Sequence, residues 1–294
     1  MRVLKAPLRS PLVRIKLLVT STVVAGALAL AACSSSGSGS GSAGTPTTPA
    51  ANTTSTSTSA STAPAVLRIV ITNDDGYAAP GIAVVAAALA ELPDTEVTVV
   101  APKENQSGAG GKTTPGTLAV TDVKTADGRA AHAVAGTPAD TIRAALDDLH
   151  LTPELVVSGS NQGQNLGPAA DLSGTVGAAR AAVARGIPAV AVSAGLGDKP
   201  PYAQSAKYVT DWVQANRAAL LDKSATAQVV SFNVPDCASI RGLAQVEPDL
   251  NPADLGKMTH APKCTSAAAA GKDDVTAFLR GFATQSLLPA KPAA

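Results

Sequence analysis

Two adjacent carboxylates, Asp74 and Asp75, stand in the run Thr72-Asn73-Asp74-Asp75-Gly76, directly after the apolar stretch Val66 to Ile71. In an open α/β sheet, ligands gather outside the carboxyl ends of strands, and oxygen donors there suit hard cations such as magnesium or manganese. Gly76 lets the chain turn at once, so both carboxylates can converge on one ion instead of alternating across a strand. A turn carrying a helix-capping aspartate is the competing reading of these residues alone. A second polar loop holds Asn105-Gln106-Ser107-Gly108, where the Ser107 hydroxyl can complete a metal shell; an ordinary surface loop competes with it. The third segment, Ser158-Gly159-Ser160-Asn161-Gln162-Gly163-Gln164-Asn165-Leu166-Gly167, leads toward Ser173-Gly174-Thr175-Val176-Gly177. Free N–H groups and the positive dipole end at a helix start there would suit phosphate, whereas glycines serving tight helix–sheet packing are the alternative.

The chain lacks a Walker loop with its lysine and a Rossmann glycine fingerprint after the first strand. His132, His150 and His260 fall in strand, helix-end and irregular contexts, and no Ser-His-Asp arrangement has a supporting context. Cys237 lacks the surroundings of a catalytic thiolate.

The elements that would position these loops alternate short β-branched runs with longer Ala/Leu segments. That pattern predicts an α/β fold with a mostly parallel sheet covered by helices on both faces. Strands are expected over 66–72, 97–101, 155–158, 188–193 and 228–234, and helices over 80–92, 138–149, 173–185 and 202–221. Pro80 suits a first helical turn and Thr137 a cap. Residues 118–123 and 131–134, joined through Ala126-Asp127-Gly128, read as a short β-hairpin excursion. With 45% hydrophobic but only 2% aromatic residues, the core must be packed by Ala, Val and Leu. Beyond Pro235 the periodicity fades.

The first 32 residues place Arg2, Lys5, Arg9, Arg14 and Lys16 ahead of an apolar run from Leu17 to Leu30, the form of a secretory signal sequence. The run falls short of the ~20 residues that span a bilayer. Leu30-Ala31-Ala32-Cys33 resembles a bacterial lipobox, which predicts lipidation at Cys33 and anchorage to the outer face of a bacterial membrane. Residues 33–65, rich in Gly, Ser, Thr and Pro, cannot bury apolar surface and read as a disordered tether. A globular domain over 66–289 and a short tail at 290–294 complete the organisation. Loss of the leader removes five of the 23 basic residues, leaving 18 against 22 acidic, a formal net of −4. No basic patch argues for nucleic-acid binding. If Cys33 is lipidated, Cys237 and Cys264 are left in an oxidising compartment and are expected to form a disulfide, which adds ~3 to 4 kcal/mol in the chain-entropy model.

Taken in order, these motifs resemble those of the SurE family of bacterial survival-protein nucleotidases. The match runs from Thr72-Asn73-Asp74-Asp75-Gly76 and Ala79-Pro80-Gly81-Ile82 through Val100-Ala101-Pro102 with Gln106-Ser107-Gly108. It continues with Gly136-Thr137-Pro138-Ala139-Asp140, then Ser158-Gly159 with Asn161 and Asn165-Leu166-Gly167. Ser173-Gly174-Thr175-Val176-Gly177-Ala178-Ala179 and Asn233-Val234-Pro235 complete it. The resemblance implies a three-layer, Rossmann-like fold and a divalent-metal-dependent 5′/3′-nucleotidase that hydrolyses nucleoside monophosphates with one magnesium or manganese ion. It places the metal ligands at Asp74, Asp75, Ser107 and Asn161, with the two aspartates also catalytic. Asn73, Ser173, Gly174 and Thr175 match positions surrounding the phosphate. Ser160 and Leu172 depart from the family's usual apolar and aromatic residues at those places. The segment after Asn251 is short beside the arm through which relatives form dimers and tetramers, leaving a homodimer as one expected state. A lipid-anchored protein that binds nucleotide without turnover, and a surface phosphatase of broad specificity, are the rival functions.

Overall fold

In the computed structural model, which describes residues 65–291, the apolar runs form the middle of one nine-stranded sheet. The strands are β1 (Leu67–Thr72), β2 (Thr95–Pro102), β3 (Val120–Lys124), β4 (Ala130–Val134), β5 (Leu155–Gln162), β6 (Ala189–Ala194), β7 (Val229–Val234), β8 (Leu243–Gln245) and β9 (Ala283–Leu288). Their order across the sheet is β3-β4-β2-β1-β5-β6-β7-β9-β8. The six strands from β4 to β7 are parallel, while β3 runs antiparallel to β4 and β9 antiparallel to β7. The leader, Cys33 and most of the tether lie outside the described residues, as does the end of the tail.

Among the described residues five α-helices accompany these strands: α1 (Pro80–Ala90), α2 (Pro138–Arg143), α3 (Gly174–Val183), α4 (Tyr202–Leu221) and α5 (Asp274–Leu279). Alternation along the strands divides the core into two faces. Leu67, Ile69 and Ile71 of β1 pack with Ile82, Val85 and Leu89 of α1 and with Val209, Val213 and Leu220 of α4. Val70 points the other way, into a cluster with Ile142 of α2 and Val176, Ala178 and Ala179 of α3. Helix, sheet and helix therefore form three layers. Alanines at the α3 contacts let that helix lie close to the strands, consistent with a core poor in aromatic residues.

Three expectations change in the structure. The strand expected over 155–158 runs on to Gln162 after a register shift between Ser158 and Asn161, so Asn161 is a strand residue and not part of a loop. The helix expected over 138–149 keeps α-helical geometry only to Arg143, and Ala144–Asp148 continues as a π-helical turn. The strand ending near Val234 is not the last: β8, α5 and β9 follow it and extend the sheet's edge. β8 is three residues long, α5 is six, and β9 reads Ala-Thr-Gln-Ser-Leu-Leu, so none is long or regular enough for a hydrophobic period to mark it. A separate small cluster of Leu166, Met258, Val275 and Phe278 packs this C-terminal part against the loop after β5.

The topology also fixes a place for ligands. From β1 the chain moves to β2 and β4 on one side, then returns to β5 on the other and continues to β6 and β7. The order reverses between β1 and β5, and the crevice beyond the carboxyl ends of such a pair is where open α/β sheets bind ligands. Asp74 and Asp75 follow β1, and Asn161 sits at the end of β5.

Candidate active site

The turn after β1 is closed by its own residues. Asn73 is fully buried; its Oδ1 accepts the Gly76 N–H at 3.2 Å, and its Nδ2 donates to the Gly76 carbonyl at 2.9 Å. Gly76 has φ +100°, a conformation that costs a glycine little and any other residue much. Both polar atoms of Asn73 are thus spent on shaping the turn that presents Asp74 and Asp75.

Asp74 is 3% exposed and lies against the start of α3. Its Oδ1 accepts the Thr175 hydroxyl at 2.5 Å. A Cβ placed on Gly174 would come within 2.7 Å of Asp74 Cβ and 3.0 Å of Pro138 Cγ, so glycine is required there for helix and carboxylate to meet. Ser173 caps the helix, its Oγ accepting the Val176 N–H at 3.2 Å. Asp75 is less buried, and its Oδ2 accepts the Gln162 N–H at 3.0 Å, which places it beside Asn161.

Asn161 is 8% exposed and donates Nδ2 to the Gly163 carbonyl at 2.7 Å. That bond orients the amide, and its Oδ1 accepts nothing from the described residues. Ser107 is exposed on the loop after β2, with its N–H held by Asn105 Oδ1 at 2.9 Å. The preceding residue, Gln106, donates its N–H to the main-chain carbonyl of Asp74 at 2.7 Å. The structure therefore connects the strand ends carrying all four ligand candidates: Asp74 through Gln106 to Ser107, and Asp75 through Gln162 to Asn161.

Electrostatics identify what this arrangement lacks. Burial raises the pKa of Asp74, although Thr175 and backbone N–H groups, including those of Gly174 and Thr175, act against it. Burial, and then the charge of Asp74, push Asp75 up to about 6. Among the described residues, neither carboxylate has a salt bridge to a lysine or arginine. Two adjacent, desolvated carboxylates without a cationic partner fit a divalent cation, which would relieve both penalties. The unpaired oxygens of Asn161 and Ser107 supply neutral donors of the same hard type. No cluster of three or more His, Cys, Asp or Glu that could hold a metal occurs among the described residues, so an ion here would depend on those neutral oxygens.

The profile of the family described as "Survival protein SurE" matches residues 69–250, well over half of the chain. The chain belongs to the SurE family. A protein named 5′-nucleotidase SurE from Rubrobacter xylanophilus is 45% identical over 134 residues, 45% of this chain and 50% of that protein. One of the same name from Pelobacter propionicus is 39% identical over 173 residues, 58% and 67% of the two chains. Another from Methanopyrus kandleri is 38% identical over 191 residues, 62% and 71%. The matched stretches thus span from half to about seven-tenths of these relatives' own lengths. The crystal structure of the SurE protein from Aquifex aeolicus superposes with a TM-score of 0.61 at 26% identity, over 77% of this chain and 94% of that one.

Several supports of this SurE site were not assigned a role from the sequence. Asp140, fully buried at the start of α2, closes a capping box with Thr137 and accepts the Thr114 N–H at 3.0 Å on both oxygens. Arg143 donates to the carbonyls of Gly116 at 2.9 Å and Thr114 at 3.0 Å. Together they pin the far end of the loop that carries Ser107. On the other side, Asn233 Oδ1 accepts the Asn165 N–H at 2.7 Å, and Asn165 Nδ2 donates to Ser193 Oγ at 2.9 Å. The motifs containing Asp140 and Asn233 were visible, but the partners that explain them are distant in sequence.

Remaining candidates lie elsewhere. His132 pairs with Asp122 at 2.8 Å on the hairpin formed by β3 and β4, while His150 and His260 are exposed. Cys237 and Cys264 are joined by a disulfide that links the chain after β7 to the segment before α5.

Proposed function

We propose that this protein is a divalent-metal-dependent nucleotidase that releases phosphate from nucleoside 5′- and 3′-monophosphates. The observation that carries this reading is the pair Asp74–Asp75, desolvated at the topological switch point with no basic side chain to balance it. The name shared by its relatives supplies the substrate class.

Asp74, Asp75, Ser107 and Asn161 would hold one magnesium or manganese ion. When bound, such an ion supplies charge neutralisation at phosphoryl oxygens and lowers the pKa of a coordinated water. The protein's own part is positioning. Thr175 and the opening of α3 hold Asp74, Gln162 holds Asp75, and Gly163 orients the Asn161 amide. The N-terminus of α3 adds a partial positive charge beside the pocket, favourable to a phosphoester. Ser173, Gly174 and Thr175 contribute to that end of the helix, and Asn73 acts through the turn.

The deciding experiment is phosphate release from 5′-AMP and 3′-AMP by the full chain, with magnesium or manganese added and with both chelated. Metal-dependent release is expected; metal-dependent binding of AMP without release would instead indicate a capture protein.

We further propose export and lipid anchorage through Cys33, supported by the basic and apolar order of residues 1–32 and by Leu30-Ala31-Ala32-Cys33. Incorporation of labelled palmitate into the protein, lost in Cys33→Ala, is the expected result; equal labelling of both would remove the anchor.

A further inference from the structure

We propose that the loop joining β6 to α4, together with the first residue of α4, forms the nucleoside-recognition wall of the site, with the Leu196 side chain and the Tyr202 ring as its contacts to the base. The inference rests on the nucleotidase reading and adds the element that distinguishes a nucleotide from other phosphomonoesters.

The chain has only three Tyr, three Phe and one Trp, so each ring is informative. Tyr77, Tyr208, Trp212 and Phe232 pack in or against the core on the α1–α4 face. Phe278 belongs to the C-terminal cluster, and Phe282 lies under the Arg241 guanidinium at 4.4 Å. Tyr202 joins none of these, is only half-buried, and its hydroxyl has no hydrogen-bond partner among the described residues. Its place is against the carboxyl end of β5. A Cβ built on Gly81 would come within 2.9 Å of Tyr202 Cε1 and 2.0 Å of the Ser160 carbonyl, so ring, helix start and strand end meet there. Burial, and then the charge of Asp75, raise the pKa of the Tyr202 hydroxyl.

Leu196 occupies the other end of the same strip. It is 59% exposed, so its side chain is free to meet a ligand. A Cβ on Gly163 would lie 3.3 Å from Leu196 Cδ2 and 3.8 Å from Asn161 Nδ2. Residues 160–163 thus run from Tyr202 to Leu196, with Asn161 and the N–H that binds Asp75 between them. The loop is also held firmly. Gly195 N–H donates to the Val234 carbonyl at 2.7 Å, Leu196 N–H to Gln164 Oε1 at 3.1 Å, and Asp236 packs so closely that Gly197 has no room for a Cβ. A flat heteroaromatic ring attached to a phosphorylated ribose is the chemistry that such a wall suits, since aromatic faces accept any base by stacking.

The test uses the full chain with magnesium and compares 5′-AMP with ribose 5-phosphate, which has the same phosphoester and sugar but no base. Tyr202→Ala should lower the ratio of kcat/KM for AMP to that for ribose 5-phosphate by about ten-fold, through KM for AMP. Tyr202→Phe, which keeps the ring, should preserve it. A ratio that does not fall with alanine, or falls equally with phenylalanine, overturns the proposal. Should Tyr202→Ala fail to fold, as judged by circular dichroism, Leu196→Ser at its exposed position decides on the same ratio. Absence of turnover on either substrate by the unaltered chain would overturn the nucleotidase reading by itself. Equilibrium dialysis of adenosine then decides about the loop: weaker binding by Tyr202→Ala supports it, and equal binding refutes it.

Discussion

The turn Asn73–Gly76 and the loop 103–116 deliver ligand candidates to the same place by opposite means. The turn closes on itself within four residues, both polar atoms of Asn73 bonding Gly76. The loop presents Ser107 in the open and is fixed at remote points, through Gln106 to the Asp74 carbonyl and through Asp140 and Arg143 to Thr114 and Gly116. A local device of two hydrogen bonds holds the charged ligand candidates. A longer, distributed one holds Ser107, one of the two neutral candidates.

This contrast orders the effects of substitution. Asp75→Asn should have the largest effect, lowering kcat/KM at least about a thousand-fold, because several kcal/mol of transition-state charge stabilisation depend on the ion. Isothermal titration with manganese and a phosphate-release assay check it; retention of most activity would misplace the site. Asn73→Ala comes next, destabilising the fold by about 2 to 4 kcal/mol as two buried bonds are lost, with activity falling alongside. Denaturant unfolding read together with turnover checks this. If stability falls but activity survives, the turn is not what places the aspartates.

Asp140→Asn should weaken manganese binding by about 10- to 100-fold, the range for groups that support a ligand indirectly. It also has a pH signature. Burial alone would raise the Asp140 pKa, but hydrogen bonds from Thr114 and Thr137 outweigh it and leave the carboxyl below its ordinary value of 3.8. With the folded pKa depressed, its stabilising contribution is fully present above about pH 4 and is lost as pH falls through the lower, folded value. Thermal melts from pH 5 downward should therefore drop less steeply in the asparagine variant. Ser107→Ala is expected to have the smallest effect, a loss of about ten-fold or less in metal affinity, because water can take the place of an exposed hydroxyl. A loss from Ser107→Ala as large as that from Asp75→Asn would erase the distinction between turn and loop.

Different parts of the chain were legible to different degrees. The apolar runs of β1, β5, β6 and β7 are buried on both faces and stand out in the sequence, as does the capped start of α2 at Thr137 and Pro138. At the sheet's far edge, β8 is three residues long, and Leu243 and Leu287 are exposed, so no continuous apolar signal exists to read. The same is true within the site. Asp74 and Asp75 announce themselves by adjacency and by the glycine that follows, whereas Asp140 is a single acid in a helix cap until Thr114, 26 residues away, is seen to donate to it. Tyr202 likewise reads as the first residue of a helix; only its absence from every apolar cluster sets it apart.

What the amino-acid order determined alone is local: where β1 and β7 end, which residues permit the turn at Gly76, how α2 and α3 begin, and which oxygen-bearing side chains follow. These depend on backbone freedom, hydrogen bonding over a few residues and hydrophobic period, all of which act along the chain. Which of those oxygens share a space was decided by the tertiary fold, because the reversal of strand order between β1 and β5 brings together residues as far apart as Asp75 and Gln162. The cost of burying two carboxylates without a basic partner is likewise a property of the packed molecule, since an extended chain would leave both in water.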